Sequence, residues 1–394
     1  MKAKIVGIGL LTATVAAVVL SPTLRGNAAN VQVGPVGSAG KPKVEVVFVL
    51  DTTGSMGGLI DAAKEKIWAI AATMSQATPA PEISMGLVAY RDRGDAYVTR
   101  VVDLSDDLDS VYATLMGFAA DGGGDGPESV NQALHDAVHG ISWSQDTESY
   151  RVVFLVGDAP PHMDYQDDRP YSEIAASAAA KGIVINTIQC GNVGETAAHW
   201  ERIASLGGGR YFRVEQAGGA VAIETPFDAD IAEISARLDA TRLYYGTAQQ
   251  REAMERKVAA TEALHEFAST GARARRGVFN ATASGAVNSV GEHDLVHDVV
   301  RGAVDLEAVP AAELPPSLAG LSGEEQRRLV AETAARRESL QAEIAELAEQ
   351  RDAFISERLE ELGGAGDSLD RQLYEVVRSQ GAAKGLTYEA GPRY

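Results

Sequence analysis

The stretch from Lys43 to Met56 reads KVEVVFVLDTTGSM. Val44, Val46, Val47, Phe48, Val49 and Leu50 form an apolar, β-branched run of strand length, as required of a strand buried on both faces of a parallel sheet. The run stops at Asp51, and Thr52, Thr53 and Ser55 place three hydroxyls behind that carboxylate. Apolar residues at Leu59, Ile60, Ala63, Ile67, Ile70, Ala71 and Met74 then follow helical spacing. The oxygen-rich turn therefore lies between a strand and a helix, at the end of the sheet where open α/β folds bind ligands. Hard divalent cations take oxygen donors, and Mg²⁺ keeps several waters in its octahedron. Asp51, Thr53 and Ser55, two residues apart, can face one turn. A helix N-cap uses the same residue types, so the turn alone leaves a capping role open.

Outward from this stretch, strands and helices alternate. Glu82 to Tyr90 and Tyr97 to Leu104 read as strands joined by the charged turn RDRGD, and Leu108 to Phe118 as a short helix. The loop DGGGDGPE spans Asp121 to Glu128 and precedes a helix from Ser129 to Ile141, with Pro127 near its first turn. Tyr150 to Val156 is a second fully apolar strand that also runs into an acid, in GDAPPH, at Asp158. A helix over Glu173 to Lys181, a strand over Ile183 to Cys190, a helix over Ala197 to Leu206, a strand over Arg210 to Val214 and a helix over Pro226 to Leu243 complete the pattern. The expectation is an α/β fold: a doubly wound, mostly parallel sheet with one antiparallel edge strand, over residues 44–245.

After Tyr245 only helical patterns remain, which predicts a mainly α-helical C-terminal region over 246–394. Thr247 to Ser269 reads as helix, RARR at 273–276 as a solvated turn or an intramolecular partner for acidic groups, and Val309 to Pro316 as a connector. Ser322 and Glu325 form a capping box that opens a long helix over about 322–362. Its stripe of Leu340, Ile344, Leu347, Phe354 and Leu362 has coiled-coil character, but Arg351 and Arg358 interrupt the heptad. Leu369 to Gln380 is a last helix.

The three segments DTTGSM, GGGDGPE and DAPPH together resemble the von Willebrand factor A (VWA) domain, in its hemicentin and alpha-kinase type. The resemblance covers about Val44 to Tyr245. It implies a metal-ion-dependent adhesion site (MIDAS) in which Asp51, Thr53, Ser55, a middle-loop residue and Asp158 share one Mg²⁺ or Mn²⁺. The family usually offers a Thr from the middle loop, where this chain offers Asp125; Asp125 as a ligand, or as a group behind the ligands, are both open. Glu128 and His162 are expected at the rim or behind the ligands. Neutral hydroxyl ligands leave the ion charge to spare, so a partner's carboxylate can complete the octahedron. A third carboxylate nearby would weaken that pull.

The 394 residues carry 35 basic and 55 acidic side chains, a net charge of −20, which argues against nucleic acid and anionic membrane surfaces as partners. Lys2 and Lys4, an uncharged stretch from Ile5 to Leu20 and small residues to Ala29 read as a signal peptide over 1–28, followed by a flexible leader over 29–43. The expected location is outside the cytoplasm, periplasmic or extracellular, with no membrane span after cleavage. The single Cys190 makes no internal disulfide and reads as a small buried hydrophobe. Among enzyme signals only His162 beside Asp158 offers a general base, without an activated nucleophile, phosphate loop or two-metal cluster, so no enzymatic activity is expected. His293 and His297 have zinc-compatible spacing but lack HExxH, and read as surface histidines of an amphipathic helix. Asp164, Asp167 and Asp168 read as a solvated acidic loop. Asn280-Ala-Thr282 is a glycosylation sequon, meaningful in a eukaryotic secretory route. The functional expectation is metal-dependent binding of a protein partner. The rival is a structural role, in which the helical region forms homo-oligomers or docks on the A domain without external ligand.

Overall fold

The computed structural model describes residues 41–124, 126–215, 223–361, 369–389 and 391. The signal peptide, most of the leader, Asp125 and Leu362 lie outside the described residues. No described helix is long and apolar enough to cross a membrane.

Six strands form one sheet: β1 (Lys43–Asp51), β2 (Glu82–Tyr90), β3 (Thr99–Ser105), β4 (Tyr150–Gly157), β5 (Ile183–Cys190) and β6 (Gly208–Val214). Their spatial order is β3-β2-β1-β4-β5-β6, and only β3 runs antiparallel, at the edge beside β2. This is the doubly wound sheet expected from the alternating pattern. The chain leaves β1 first toward β2 and later returns to its other side with β4, so the order reverses at β1. A crevice opens there at the carboxyl ends of β1 and β4.

Helices α1 (Gly57–Ser75), α2 (Leu108–Met116), α3 (Val130–His139), α4 (Tyr171–Ala180), α5 (Gly194–Leu206) and α6 (Asp228–Asp239) belong to the alternating part. The two-residue period of β1 sorts its side chains into two cores. Val44, Val46, Phe48 and Leu50 pack with Trp68 of α1 and Tyr112 of α2. Val47 and Val49 pack with Leu134 of α3, Ile174 of α4 and Trp200 of α5.

The C-terminal region adds α7 (Ala248–Phe267), α8 (Thr270–Asn280), α9 (Ala286–Val290), α10 (Leu295–Val300), α11 (Gly323–Glu361) and α12 (Leu369–Ala382). Residues 41–394 form one compact unit. Phe279 of α8 and Leu373, Val376 and Val377 of α12 enter the same core as β1 and α1. The Phe279 ring lies 6.0 Å from that of Trp68, and burial of such a side chain stabilises by roughly 1.5–3 kcal/mol. A third core joins Ile231, Ile234 and Leu238 of α6 to Ala274 of α8 and Leu340 and Ile344 of α11.

Several local expectations need correction. Of the two readings of the RARR segment, the intramolecular partner holds and the solvated turn does not: the segment lies within α8, and Arg275 and Arg276 are buried. Arg276 forks onto Asp109 of α2 through Nε and Nη2, both at 2.6 Å, and its Nη1 donates to Asp239 of α6 at 2.7 Å. Thr261, Asn288 and Lys257 also face Asp109. Burial pushes the Asp109 carboxyl up, but the Arg276, Lys257 and Arg242 charges outweigh it and hold the pKa far below the ordinary value. Asn280 is buried and its side-chain oxygen accepts from Asn288, so the sequon is closed to a glycan in this fold. His293 precedes α10 with φ of 55°, so it shares no helix face with His297. The helix expected over 247–269 is present as α7, and the Ser269 hydroxyl caps the following α8 by accepting from the Ala272 N–H.

The arginines that interrupt the heptad of α11 have a use. Arg351 donates to Asp228 at 2.8 Å, and Arg337 grips Asp294 at 2.6 and 2.8 Å while also bonding Thr241. Both pairs are buried and fasten the long helix to its own chain. The Ser322–Glu325 capping box is present at its start.

Candidate metal site at the carboxyl edge of the sheet

Asp51 is the last residue of β1 and is fully buried. The chain turns back over it: the Thr53 N–H and hydroxyl both donate to Asp51 Oδ1, at 2.9 and 2.6 Å. Ser55 Oγ lies 3.4 Å from Thr53 Oγ1, and Ser55 is exposed. The other carboxylate oxygen, Asp51 Oδ2, is buried and has no hydrogen-bond partner among the described residues. A cap would spend the Asp51 carboxylate on helix N–H groups. Instead, neither Thr53 nor Met56 caps its helix through a side chain.

The glycine-rich loop is stitched onto this turn by backbone bonds from Gly54 N–H to Gly122 O and from Asp121 N–H to Thr52 O. Gly122 and Gly123 have φ of 79° and 78°, and a Cβ on Gly122 would lie 2.4 Å from Asp95 Oδ1. Only glycine serves both conformation and space there. Further on, the loop pairs with the DAPPH segment: Glu128 N–H donates to Pro160 O, and His162 N–H donates to Glu128 O. Thr196 and Trp200 donate to the carbonyls of Asp158 and Ala159 and fix that segment against α5.

The result is a pocket of about 380 Å³ lined by Thr53, Ser55, Gly123, Glu128, Asp158 and Glu195, among others, with no basic side chain among the described residues that line it. Residues 45–226 match the family model described as the von Willebrand factor A domain. The chain carries a von Willebrand factor A domain. Among curated proteins, 198 residues are 22% identical to the ariadne-like RING finger protein R811 of Acanthamoeba polyphaga mimivirus, covering 46% of this chain and 19% of that protein. A stretch of 120 residues is 36% identical to von Willebrand factor A domain-containing protein 7 of Rattus norvegicus, covering 30% of this chain and 12% of the relative. The match thus spans less than a fifth of either relative. Among solved structures, the SpRpn10 VWA domain has a TM-score of 0.34 at 14% identity, over 44% of this chain and 89% of its own. Proximal thread matrix protein 1 from the mussel byssus, with a zinc-occupied MIDAS motif, has a TM-score of 0.35 at 15% identity, over 44% of this chain and 42% of its own.

The electrostatics of the A-domain edge follow from its burial. Asp51 has its pKa raised to about 7, chiefly by desolvation and further by Asp158, against the lowering pull of the Thr53 bonds and the Asp158 N–H. Glu128 is raised to about 9 by burial and by Asp51, Asp92, Asp95 and Asp158. A cation among these oxygens would relieve both effects. No three His, Cys, Asp or Glu side chains converge tightly enough among the described residues to cage an ion alone. The donor set that fits is therefore mixed: Asp51 and Asp158 with the Thr53 and Ser55 hydroxyls and retained water.

Of the two places expected for His162, at the rim or behind the ligands, burial rules out the rim. Its ring stacks on Tyr165 at 4.0 Å, and Nδ1 bonds Asp164 at 2.8 Å. Asp168 is also no solvated acid, since its carboxylate is buried against Arg93 at 2.6 Å. Cys190 is fully buried, with its thiol pKa pushed up by desolvation and by Asp158 and Asp51, which makes it inert.

Two residues of the site went unforeseen. Tyr90 pairs in register with Asp51, and its hydroxyl is buried without a hydrogen-bond partner among the described residues. A Cβ on Gly157 would sit 2.4 Å from that hydroxyl and 3.1 Å from Asp51 Oδ2, so both atoms crowd the same point. Asp95, from the RDRGD turn, accepts from the Gly123 N–H and holds the glycine loop. Neither has a sequence signal, because each is placed by strand register and by a loop contact distant in the chain.

Proposed function

We propose that this protein is a divalent-cation-dependent protein-binding module, with Mg²⁺ or Mn²⁺ held by Asp51, Thr53, Ser55 and Asp158. The carrying observation is the buried Asp51 carboxylate, with Oδ1 fixed by Thr53 and Oδ2 unpartnered among the described residues, at the base of an open acidic pocket. An unpaired buried carboxylate oxygen costs stability unless something satisfies it, and a hard cation is the ligand its hydroxyl neighbours suit. A protein partner offering a carboxylate completes the shell. The role is adhesion or recognition and no catalysis. The chain acts outside the cytoplasm, as its N-terminal pattern suggests. The middle-loop Asp125 remains a proposed additional donor.

The structural alternative draws on the C-terminal helices. Of the stripe proposed for assembly, Leu340 and Ile344 are buried against α6, and Phe354 meets Phe227 edge-on at 6.4 Å. This favours internal docking over assembly. Calorimetric titration of the full-length chain with Mg²⁺, Mn²⁺ and Ca²⁺ tests the proposal: saturable binding abolished by Asp51→Ala supports it. Heat-silent titration, with no shift of the unfolding midpoint by any of the three ions, refutes it.

A further inference from the structure

Glu128 is only 3% exposed, lies among the lining residues of the pocket, and has a buried Oε2 without a hydrogen-bond partner among the described residues. Its backbone is clamped on both sides to the DAPPH segment, through Glu128 N–H to Pro160 O and His162 N–H to Glu128 O. Its Oε1 lies against Gly123, where a Cβ would come within 3.2 Å of it and within 3.1 Å of Thr53 Cβ. The loop is therefore folded so that Glu128, fixed and desolvated, faces the same space as Thr53, Ser55 and Asp158.

We propose that Glu128 is the middle-loop acceptor of the metal site, binding an ion-held water, and that it sets how strongly the site recruits a partner's carboxylate. This rests on the metal-dependent reading above. No three acidic side chains among the described residues form a group able to hold an ion by themselves, and an octahedral ion that keeps several waters can use a third carboxylate through a water. Such an acceptor orients the bound water and raises affinity for the ion. Its charge also counts at that range: with three carboxylates a divalent ion is more than neutralised, whereas two carboxylates and two hydroxyls leave it neutral. A hydroxyl in place of Glu128 thus trades hold on the ion for pull on an acidic ligand. The partner suited to the native site presents its carboxylate within a larger contact, since the ion alone recruits it weakly.

The test uses the full-length chain with Mn²⁺ as ion and acetate as carboxylate probe. Calorimetry gives the Mn²⁺ affinity, and water-proton relaxivity of the Mn²⁺-saturated protein reports displacement of bound water by acetate. Glu128→Gln and Glu128→Thr are expected to weaken Mn²⁺ binding roughly 10- to 100-fold, and Glu128→Thr to tighten acetate binding by about tenfold. Unfolding midpoints in EDTA are expected to stay level or rise, because the variants remove a buried, unpaired carboxylate. Wild-type Mn²⁺ affinity and an unchanged acetate midpoint in both variants overturn this inference while leaving metal binding intact. Absence of Mn²⁺ binding by the wild-type protein overturns the underlying reading as well.

Discussion

The protonation of Asp51 offers a direct physical test of the site, through Asp51→Asn. In the unfolded chain this carboxyl ionises near its ordinary value of 3.8, and in the folded protein its pKa is raised to about 7, mainly by burial. A raised carboxyl pKa means that the folded state binds the proton more tightly than the unfolded state. Between these two values the unfolded state is the more ionised, so stability falls as pH rises and levels off above the folded pKa. At 1.36 kcal/mol per unit, the loss between about pH 4 and pH 7 is about 4 kcal/mol, as an order of magnitude. Urea unfolding in EDTA between pH 5 and pH 8 captures the upper part of it, about 3 kcal/mol, in a window above that of Asp109 and Asp239, whose pKa values are lowered by their arginines despite burial. His139, lowered chiefly by burial, opposes the trend, because its contribution grows as pH rises through the histidine range. Asp51→Asn is expected to remove the part of the decline below pH 7 that Asp51 contributes, to leave the part of the same sign that Glu128, raised to about 9, carries through the whole window, and to be the more stable protein above pH 7 without metal. Saturating Mg²⁺ should flatten the wild-type curve and leave that of the variant unchanged. A variant that retains the full wild-type slope refutes the assignment of this strain to Asp51.

Other perturbations separate the site from its support. Arg276→Ala leaves Asp109 and Asp239 buried beside a lost partner and should cost about 3–5 kcal/mol, measured by urea unfolding; a loss below about 1 kcal/mol would show the network to be dispensable. Gly157→Ala should destabilise by roughly 1–3 kcal/mol through contact with the Tyr90 hydroxyl. In a double-mutant cycle Tyr90→Phe should recover part of that loss, and strict additivity would place the clash elsewhere. Arg337→Ala strands the buried Asp294 and should lower the unfolding midpoint in metal and in EDTA alike, unlike any change at Asp51.

The sheet was legible because β1 and β4 are apolar on both faces, which leaves few alternatives to a central parallel strand. The edge position of β3 followed from the charged RDRGD turn, which makes its connection to β2 hairpin-like and antiparallel. The carboxyl-edge acids were legible for the same reason: each apolar run ends abruptly at Asp51 or just before Asp158. What sequence alone misplaced was burial of charge. Arg276 reads as solvated or as paired within the chain, Arg351 as a heptad interruption and Arg337 as nothing in particular, since only the fold brings Asp109, Asp228 and Asp294 to them. His162, following two prolines in a loop, reads as a residue at the rim or behind the ligands, and its burial and its stacking on Tyr165 exclude the rim. Tyr90 carried no signal, as its place beside Asp51 is set by β1–β2 register alone.

These buried arginines also bear on what the helical region is for. A helix of 39 residues spans about 58 Å, and a stripe from Val330 to Leu359 along it is buried. The hydrophobic contacts of Leu340 and Ile344 could form with any apolar helix, in this chain or another copy. The fork of Arg337 onto Asp294 and the bond of Arg351 to Asp228 are more selective, because a shifted register leaves two buried charges on each side unpaired. They make intramolecular docking the register-specific outcome. Ile344→Asp should therefore act by loosening α11 from α6, at a cost of about 2–5 kcal/mol in unfolding, with no change in molar mass by light scattering. A wild-type chain that is oligomeric, and that this substitution converts to monomer, would instead place the partner of α11 in another copy.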